Sequence, residues 1–374
     1  IWVAKKDGSQ PTRLTSSPVD EQGPIFSSDG KTLAFTAKYN GNTDVYIIDI
    51  DGGQPKRLTW HPGPDIALDW SADGGQVAFA SRRETNHGRS AQLYHVSVNG
   101  GLPIKKMEAR IFRGTYNASG SHFAYISYGP AYNGLYGGTS GWRGYRGGAT
   151  PTITVMDMVK GNAHQIPGAL NGMRSNNIEP MWMDDKVYFL SDRKDKIFNL
   201  YQYNPTNKTV KLLSNETIWD IRSADAKNGV IIYEAGGRLK QFNITSKRTK
   251  EIAILIKPDL PQLRPKWKQA GQILQHFEIS PSGKRVLITA RGEVFSIPVK
   301  DGPPRNLSRT SGAREYSALW SPLGEDIAYI DASERDQYLV IKNQNGLSDG
   351  KRYKLGSDFY KLMKWSADGT RIIY

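Results

Sequence analysis

An all-β chain, a six-bladed β-propeller of four-stranded antiparallel blades followed by the first blades of a second propeller, is the fold that three features of the sequence predict. The first is a repeat. Turns of the Ser-x-Asp-Gly kind recur at Gly30, Gly74, Gly120, Gly283, Gly324 and Gly369, a period of about 40 to 46 residues, which is the length of one four-stranded blade. The second is the content of each repeat. From Pro24 to Trp60 the apolar runs Leu33-Ala34-Phe35 and Val45-Tyr46-Ile47-Ile48 are separated by turns at Asp29-Gly30, Asn40-Gly41-Asn42 and Asp51-Gly52-Gly53. Short β-branched and aromatic runs between Gly, Asp and Asn turns mark antiparallel strands, because those residues tolerate the positive φ of tight hairpins. The third is composition: 38 Gly and 20 Pro in a chain with 10% aromatics suit many short strands and many turns. One meander is too small to bury a core alone, so the units must pack side by side.

Ile1 to Thr15 carries the end of one blade, closing on Arg13-Leu14-Thr15, and Arg57-Leu58-Thr59 repeats that tail. Complete units then run over 24–60, 61–107, 108–167, 168–214 and 215–256. The third is lengthened by Tyr128 to Thr150, a Gly- and Tyr-rich insertion expected to pack as a lid or against a partner domain. In the fourth, the turn at Trp182-Met183-Asp184-Asp185 has lost its glycine. Residues 257–265 hold Pro258, Pro261 and Pro265 without strand alternation and read as an extended linker. The rhythm restarts at His276-Phe277-Glu278-Ile279. The predicted domains are therefore 1–256, a propeller whose first blade is incomplete, a linker over 257–265, and the truncated start of a second propeller over 266–374. A chain that opens on Ile1 and stops inside an apolar run at Tyr374 is expected to be a piece of a longer polypeptide. Trp70, Trp320 and Trp365, beside the turns, are expected to pack between blades.

Fifty Lys and Arg against 36 Asp and Glu give a net charge of +14. Such a balance favours anionic partners and long-range steering. The basic residues are scattered, which speaks against a dedicated nucleic-acid site. No apolar run is long enough to span a membrane. The absence of cysteine excludes disulfides and Cys-ligated zinc. The sequence offers no catalytic constellation. Gly138-Thr139-Ser140-Gly141-Trp142 fails the nucleophile-elbow pattern at its last position, and the six histidines show no metal-ligand spacing. The Asp-Gly turns lack the alternating acids of a calcium loop. No cofactor and no metal are expected.

Arginine suits capture of a peptide carboxylate, because its planar fork donates two parallel hydrogen bonds. The candidates for substrate steering are Arg82 and Arg83, at the end of the second strand of one blade, and Arg143 and Arg146 in the insertion.

Phe/Trp-Ser-x-Asp-Gly turns with closing Arg-Leu-Thr resemble TolB-like propeller blades. The string Gly141-Trp142-Arg143-Gly144-Tyr145-Arg146-Gly147-Gly148-Ala149-Thr150 resembles the Trp-x-Gly-Tyr-Arg-Gly-Gly-Thr motif of tricorn proteases, whose six-bladed propeller is followed by a seven-bladed one. That resemblance implies a second propeller of the seven-bladed type. It also implies a parent serine peptidase that degrades oligopeptides, with its catalytic and PDZ-like domains outside this chain. The propeller part would gate and steer peptides and support assembly into a homo-oligomer, in the cytoplasm, with the periplasm as the alternative. In tricorn a basic pair is proposed to hold the substrate's C-terminal carboxylate. The matching loop here, His61-Pro62-Gly63-Pro64-Asp65, has no arginine. The rival reading is a non-enzymatic TolB-like propeller that acts as a binding or scaffold module.

Overall fold

The computed structural model describes residues 1–85, 90–129, 145–168, 174–256, 269–310, 312–333, 335–360 and 364–374. The chain forms two compact units, Ile1–Pro258 and Asp259–Tyr374. Most of the insertion, with Arg143 and Trp142, and the expected linker lie outside the described residues.

In the first unit the strands pair in chain order as antiparallel meanders. A two-stranded sheet, β1 (Trp2–Val3) with β2 (Thr12–Arg13), comes first. Five four-stranded sheets follow. They are β3 (Glu21–Phe26), β4 (Thr32–Ala37), β5 (Asp44–Asp49) and β6 (Lys56–Arg57); then β7 (Asp65–Trp70), β8 (Gln76–Ser81), β9 (Gln92–Ser97) and β10 (Ile104–Met107); then β11 (Arg113–Tyr116), β12 (His122–Ile126), β13 (Ile153–Asp157) and β14 (Ala163–Gln165). The last two are β15 (Asn177–Met183), β16 (Lys186–Ser191), β17 (Asn199–Asn204) and β18 (Thr209–Leu212), and β19 (Ile221–Lys227), β20 (Val230–Ala235), β21 (Arg238–Asn243) and β22 (Thr249–Ile252). The second unit holds β23 (Leu274–Ile279), β24 (Arg285–Ala290), β25 (Glu293–Pro298) and β26 (Arg305–Asn306) in one sheet. A second sheet has β27 (Ala313–Trp320), β28 (Asp326–Ser333), β29 (Asp336–Asn343) and β30 (Lys351–Gly356). A two-stranded sheet of β31 (Lys364–Trp365) and β32 (Ile372–Ile373) ends the chain. A single 3-10 turn at Ala270–Ile273 is the one helical element among the described residues.

Burial explains the composition of each strand. The second strand of a sheet is covered on both faces by neighbouring sheets, so β4 and β8 are buried at every position but the first and read as continuous apolar runs. The first strand faces the unit's interior space with one side, so β3 alternates half-buried with exposed residues. Trp70 and Trp320 are buried in separate cores. Trp70 also donates its indole N–H to the Ile25 carbonyl of the preceding sheet (3.1 Å). Phe79 and Phe189 have no exposed surface, and truncating either to alanine would cost about 3–5 kcal/mol.

Both recurrent motifs have a local cause. In the first turn, Ser27 donates its hydroxyl to Asp29 (2.6 Å), Gly30 N–H reaches the Ser27 carbonyl (3.0 Å), and Gly30 sits at φ 73°. Where the fourth full sheet lacks the glycine, Asp184 takes the left-handed position at φ 52°, which acids tolerate better than most residues. In the closing motif, Leu58 is fully buried. Thr59 accepts from Val45 N–H (3.1 Å) and donates to Asp44 (3.2 Å), and Arg57 pairs with Asp44 (2.7 Å). Ser214 with Asn199 (2.8 Å) and Ser308 with Glu293 (2.6 Å) repeat the fastening of fourth strand to third.

Candidate functional site: the inner cavity of the first unit

The ends of β3, β7, β11, β15 and β19, the first strands of the five four-stranded sheets, converge on one cavity of about 580 Å³. Its wall is polar as well as apolar: Ser28, Asp29, Asp69, Asn117, Asp184, Asp225, Lys227 and Asn228 share it with Ile25, Trp70 and Trp182. A net charge of +14 for the whole chain therefore coexists with an acid-rich inner wall.

Three inner acids stand out. Asp69 lies at a bulge in β7 and accepts from Tyr116 N–H (2.7 Å) and the Thr115 hydroxyl (2.9 Å) of the next sheet. Burial pushes its carboxyl up to about 6, against those hydrogen bonds and with the charge of Asp225 adding to the rise. Asp225 is open to solvent in the cavity yet has protein on nearly every side, and loss of bulk water raises its pKa while Lys227 opposes the rise. Glu179 sits at a bulge of β15 in the left-handed region, φ 49°. Burial raises its pKa, and Arg113 of β11 holds it back. Gly23, at φ 61°, lies beside Arg113, where a Cβ would be in ordinary van der Waals contact with the guanidinium at 3.7 Å. Among the described residues no group of three or more His, Cys, Asp or Glu could hold a metal ion, so the wall offers charge and hydrogen bonding to whatever occupies it. No helix among the described residues is long and apolar enough to cross a membrane.

The arginines singled out by sequence lie elsewhere. β8 ends at Ser81, so Arg82 and Arg83 follow the strand instead of closing it. Arg82 is exposed. Arg83 folds inward, pairs with the buried Asp65 at the start of β7 (2.6 Å), donates to the Ser81 hydroxyl (2.9 Å) and lies over the Phe79 and Tyr94 rings. Asp65 and Trp70 bound β7, and five steps of about 3.3 Å separate them by about 17 Å, so this pair lies at the far end of the strand from the cavity. Arg146 is paired with Asp192 (2.8 Å), whose other contacts are the Asn176 backbone and side-chain N–H groups, each at 2.8 Å. It ties the end of the insertion to the fourth full sheet. The inner acids were missed by sequence. Their signal was a lone acid inside an apolar strand, as in Ala67-Leu68-Asp69-Trp70 and Ile178-Glu179-Pro180-Met181.

The profile of a family described as the tricorn protease N-terminal β-propeller domain matches residues 1–248. The chain belongs to that family. A tricorn protease homologue of Saccharolobus solfataricus is 23% identical over 234 residues, which are 62% of this chain and 20% of the relative. The crystal structure of the tricorn protease superposes with a TM-score of 0.59 at 16% identity, covering 99% of this chain and 35% of that one. A putative TolB of Agrobacterium tumefaciens gives a TM-score of 0.52 at 14% identity over 65% of this chain and 84% of its own. The two solved structures share the β-propeller fold with this chain. The chain thus spans about a fifth to a third of the tricorn proteins it resembles.

Proposed function

We propose that this chain is the propeller region of a serine peptidase that degrades oligopeptides, and that its first unit is a six-bladed ring through which peptides are admitted and steered. Catalysis would belong to domains of the parent protein outside these residues, and assembly into a homo-oligomer in the cytoplasm is part of the same reading. The observation that carries it is the convergence of five inner strands on one charged cavity. Fixed charges along a confined path raise the local concentration of a complementary ligand. Lysine and the peptide amino terminus are the groups that Asp69 and Asp225 would favour. Arg82 is the exposed one of the three arginine candidates whose positions are described, and it would act on carboxylates before entry.

The test uses the full-length protein. Replacing Ala72 and Ala118 on the cavity wall by tryptophan narrows the passage without touching a core residue, since both are exposed. The expected result is a loss of about tenfold or more in kcat/KM for long peptides, with dipeptide-sized substrates unaffected. Equal rates for both variants and both substrate lengths would remove the passage from the mechanism. A full-length protein without peptidase activity would leave the binding or scaffold module.

A further inference from the structure

The slot that holds Arg83 in the first unit has a counterpart in the second. Trp70 and Trp320 occupy matching turns, and five residues before each lies a buried acid at or near the start of the inner strand, Asp65 in one and Glu315 in the other. Asp65 faces Ser81 across the sheet. Glu315 faces Asp331, and Ser333 stands where Arg83 would be. Two carboxylates directly opposite on adjacent strands have Cβ atoms about 4.5–5.5 Å apart, a destabilising arrangement when both are charged. Glu315 has no exposed surface, and neither of its carboxylate oxygens has a hydrogen-bond partner. One Asp331 oxygen is likewise unpartnered.

The surrounding charges do not neutralise the pair. Arg352 of β30 reaches the other Asp331 oxygen (3.2 Å) while lying over the Tyr338 ring, but it is half in solvent. Glu293 of β25 adds a third acid, already engaged by Ser308 (2.6 Å) and Asn306 (2.8 Å). The Tyr329 phenol of β28 is sensitive to Glu315, Asp331 and Glu293 together. Arg314, beside Glu315 on β27, lies over the Tyr316 ring. The nearby Thr310 hydroxyl favours the charged form, although it is turned onto the Ser308 carbonyl (3.1 Å). No group of three or more acids and histidines among the described residues stands in metal-holding geometry. A proton is the cation that remains.

We propose that Glu315 keeps its proton near neutral pH and donates it to Asp331, which makes the β27–β30 sheet a pH-sensitive element that loosens as the pH rises. Burial, with the charges of Glu293 and Asp331 adding to it, pushes the Glu315 carboxyl up to about 7. The folded pKa therefore lies above the unfolded value. Stability from this group is complete below the ordinary carboxylate range and is lost as pH rises through 7.

The test is hydrogen exchange of the whole chain, followed by mass spectrometry in peptides covering 313–333 and corrected for intrinsic exchange rates. Between pH 6 and pH 8 wild type should lose about tenfold in protection there, the loss one such group produces. Glu315→Gln, which supplies a permanent donor to Asp331, should lose none. Asp331→Asn is the second variant. It removes the facing charge, a smaller cause of the rise than burial, and should reduce the same dependence without abolishing it. A tenfold loss that persists in both variants overturns the proposal. So does restoration of wild-type protection at pH 8 by added magnesium or calcium, which would mean that a metal ion fills the slot.

Discussion

Arg83 and Arg193 occupy the same place in two sheets of the first unit, and they differ in what they hold. Arg83 pairs with Asp65, a buried carboxylate. Arg193 donates to Asn177 (2.8 Å), a buried neutral amide, and also lies over two rings, Phe189 and Tyr201. The rings, the Ser hydroxyl before the arginine and its path back over the strand are shared. The partner changes: a carboxylate in one sheet, and a neutral amide joined by the Pro167 carbonyl (3.2 Å) in the other. The clamp is therefore first a packing device, in which a flat cation covers two aromatic faces, and the ion pair is added to it in one sheet. This separates the roles of the neighbouring arginines: Arg83 is spent inside the fold and Arg82 is turned to solvent.

The sharpest way to break the comparison is Arg83→Ala. It leaves Asp65 buried without its cation, and such a loss costs about 3–5 kcal/mol. Arg193→Ala should cost clearly less in urea unfolding, because Asn177 carries no charge to strand. Equal costs would show that the stacking, not the ion pair, dominates in both. Next in size is Asp69→Asn. Its folded pKa of about 6 lies above the unfolded value, so wild type loses stability as pH rises from 4 through 6. The asparagine variant keeps an acceptor for Tyr116 N–H and should show a flatter profile over that window in thermal unfolding. A profile as steep as that of wild type would place the titration elsewhere. Arg82→Ala is the smallest. Stability should change by less than about 0.5 kcal/mol, as for exposed positions without partners in the core. Under the proposed peptidase function, any effect should appear in kcat/KM of the full-length protein for acidic peptides and fade at high salt.

Strand order and turns were legible because each is decided within a few residues: a serine, an acid and a glycine suffice to close a hairpin wherever they fall. The clamp was not legible within one repeat, where Arg83 reads as a steering candidate. Phe79-Ala80-Ser81-Arg82-Arg83 and Phe189-Leu190-Ser191-Asp192-Arg193 share Phe-x-Ser-x-Arg, and the structure lays the last arginine over two rings in both. The cavity was not legible. Asp69 and Asp225 stand on different sheets, and only the curvature of the whole unit brings them to one wall. Their raised pKa values come from that enclosure, which no local spacing encodes.

The hydroxyl fastening between fourth and third strands has a consequence for how such a chain changes over time. Thr59 with Asp44, Ser214 with Asn199 and Ser308 with Glu293 each close within a single sheet. A loop on one sheet can lengthen, or a whole repeat can be copied, without renegotiating the bonds of its neighbours. The long connection between β12 and β13 leaves that sheet paired in full register. Inheritance can work here by the module, with variation collected in the connections.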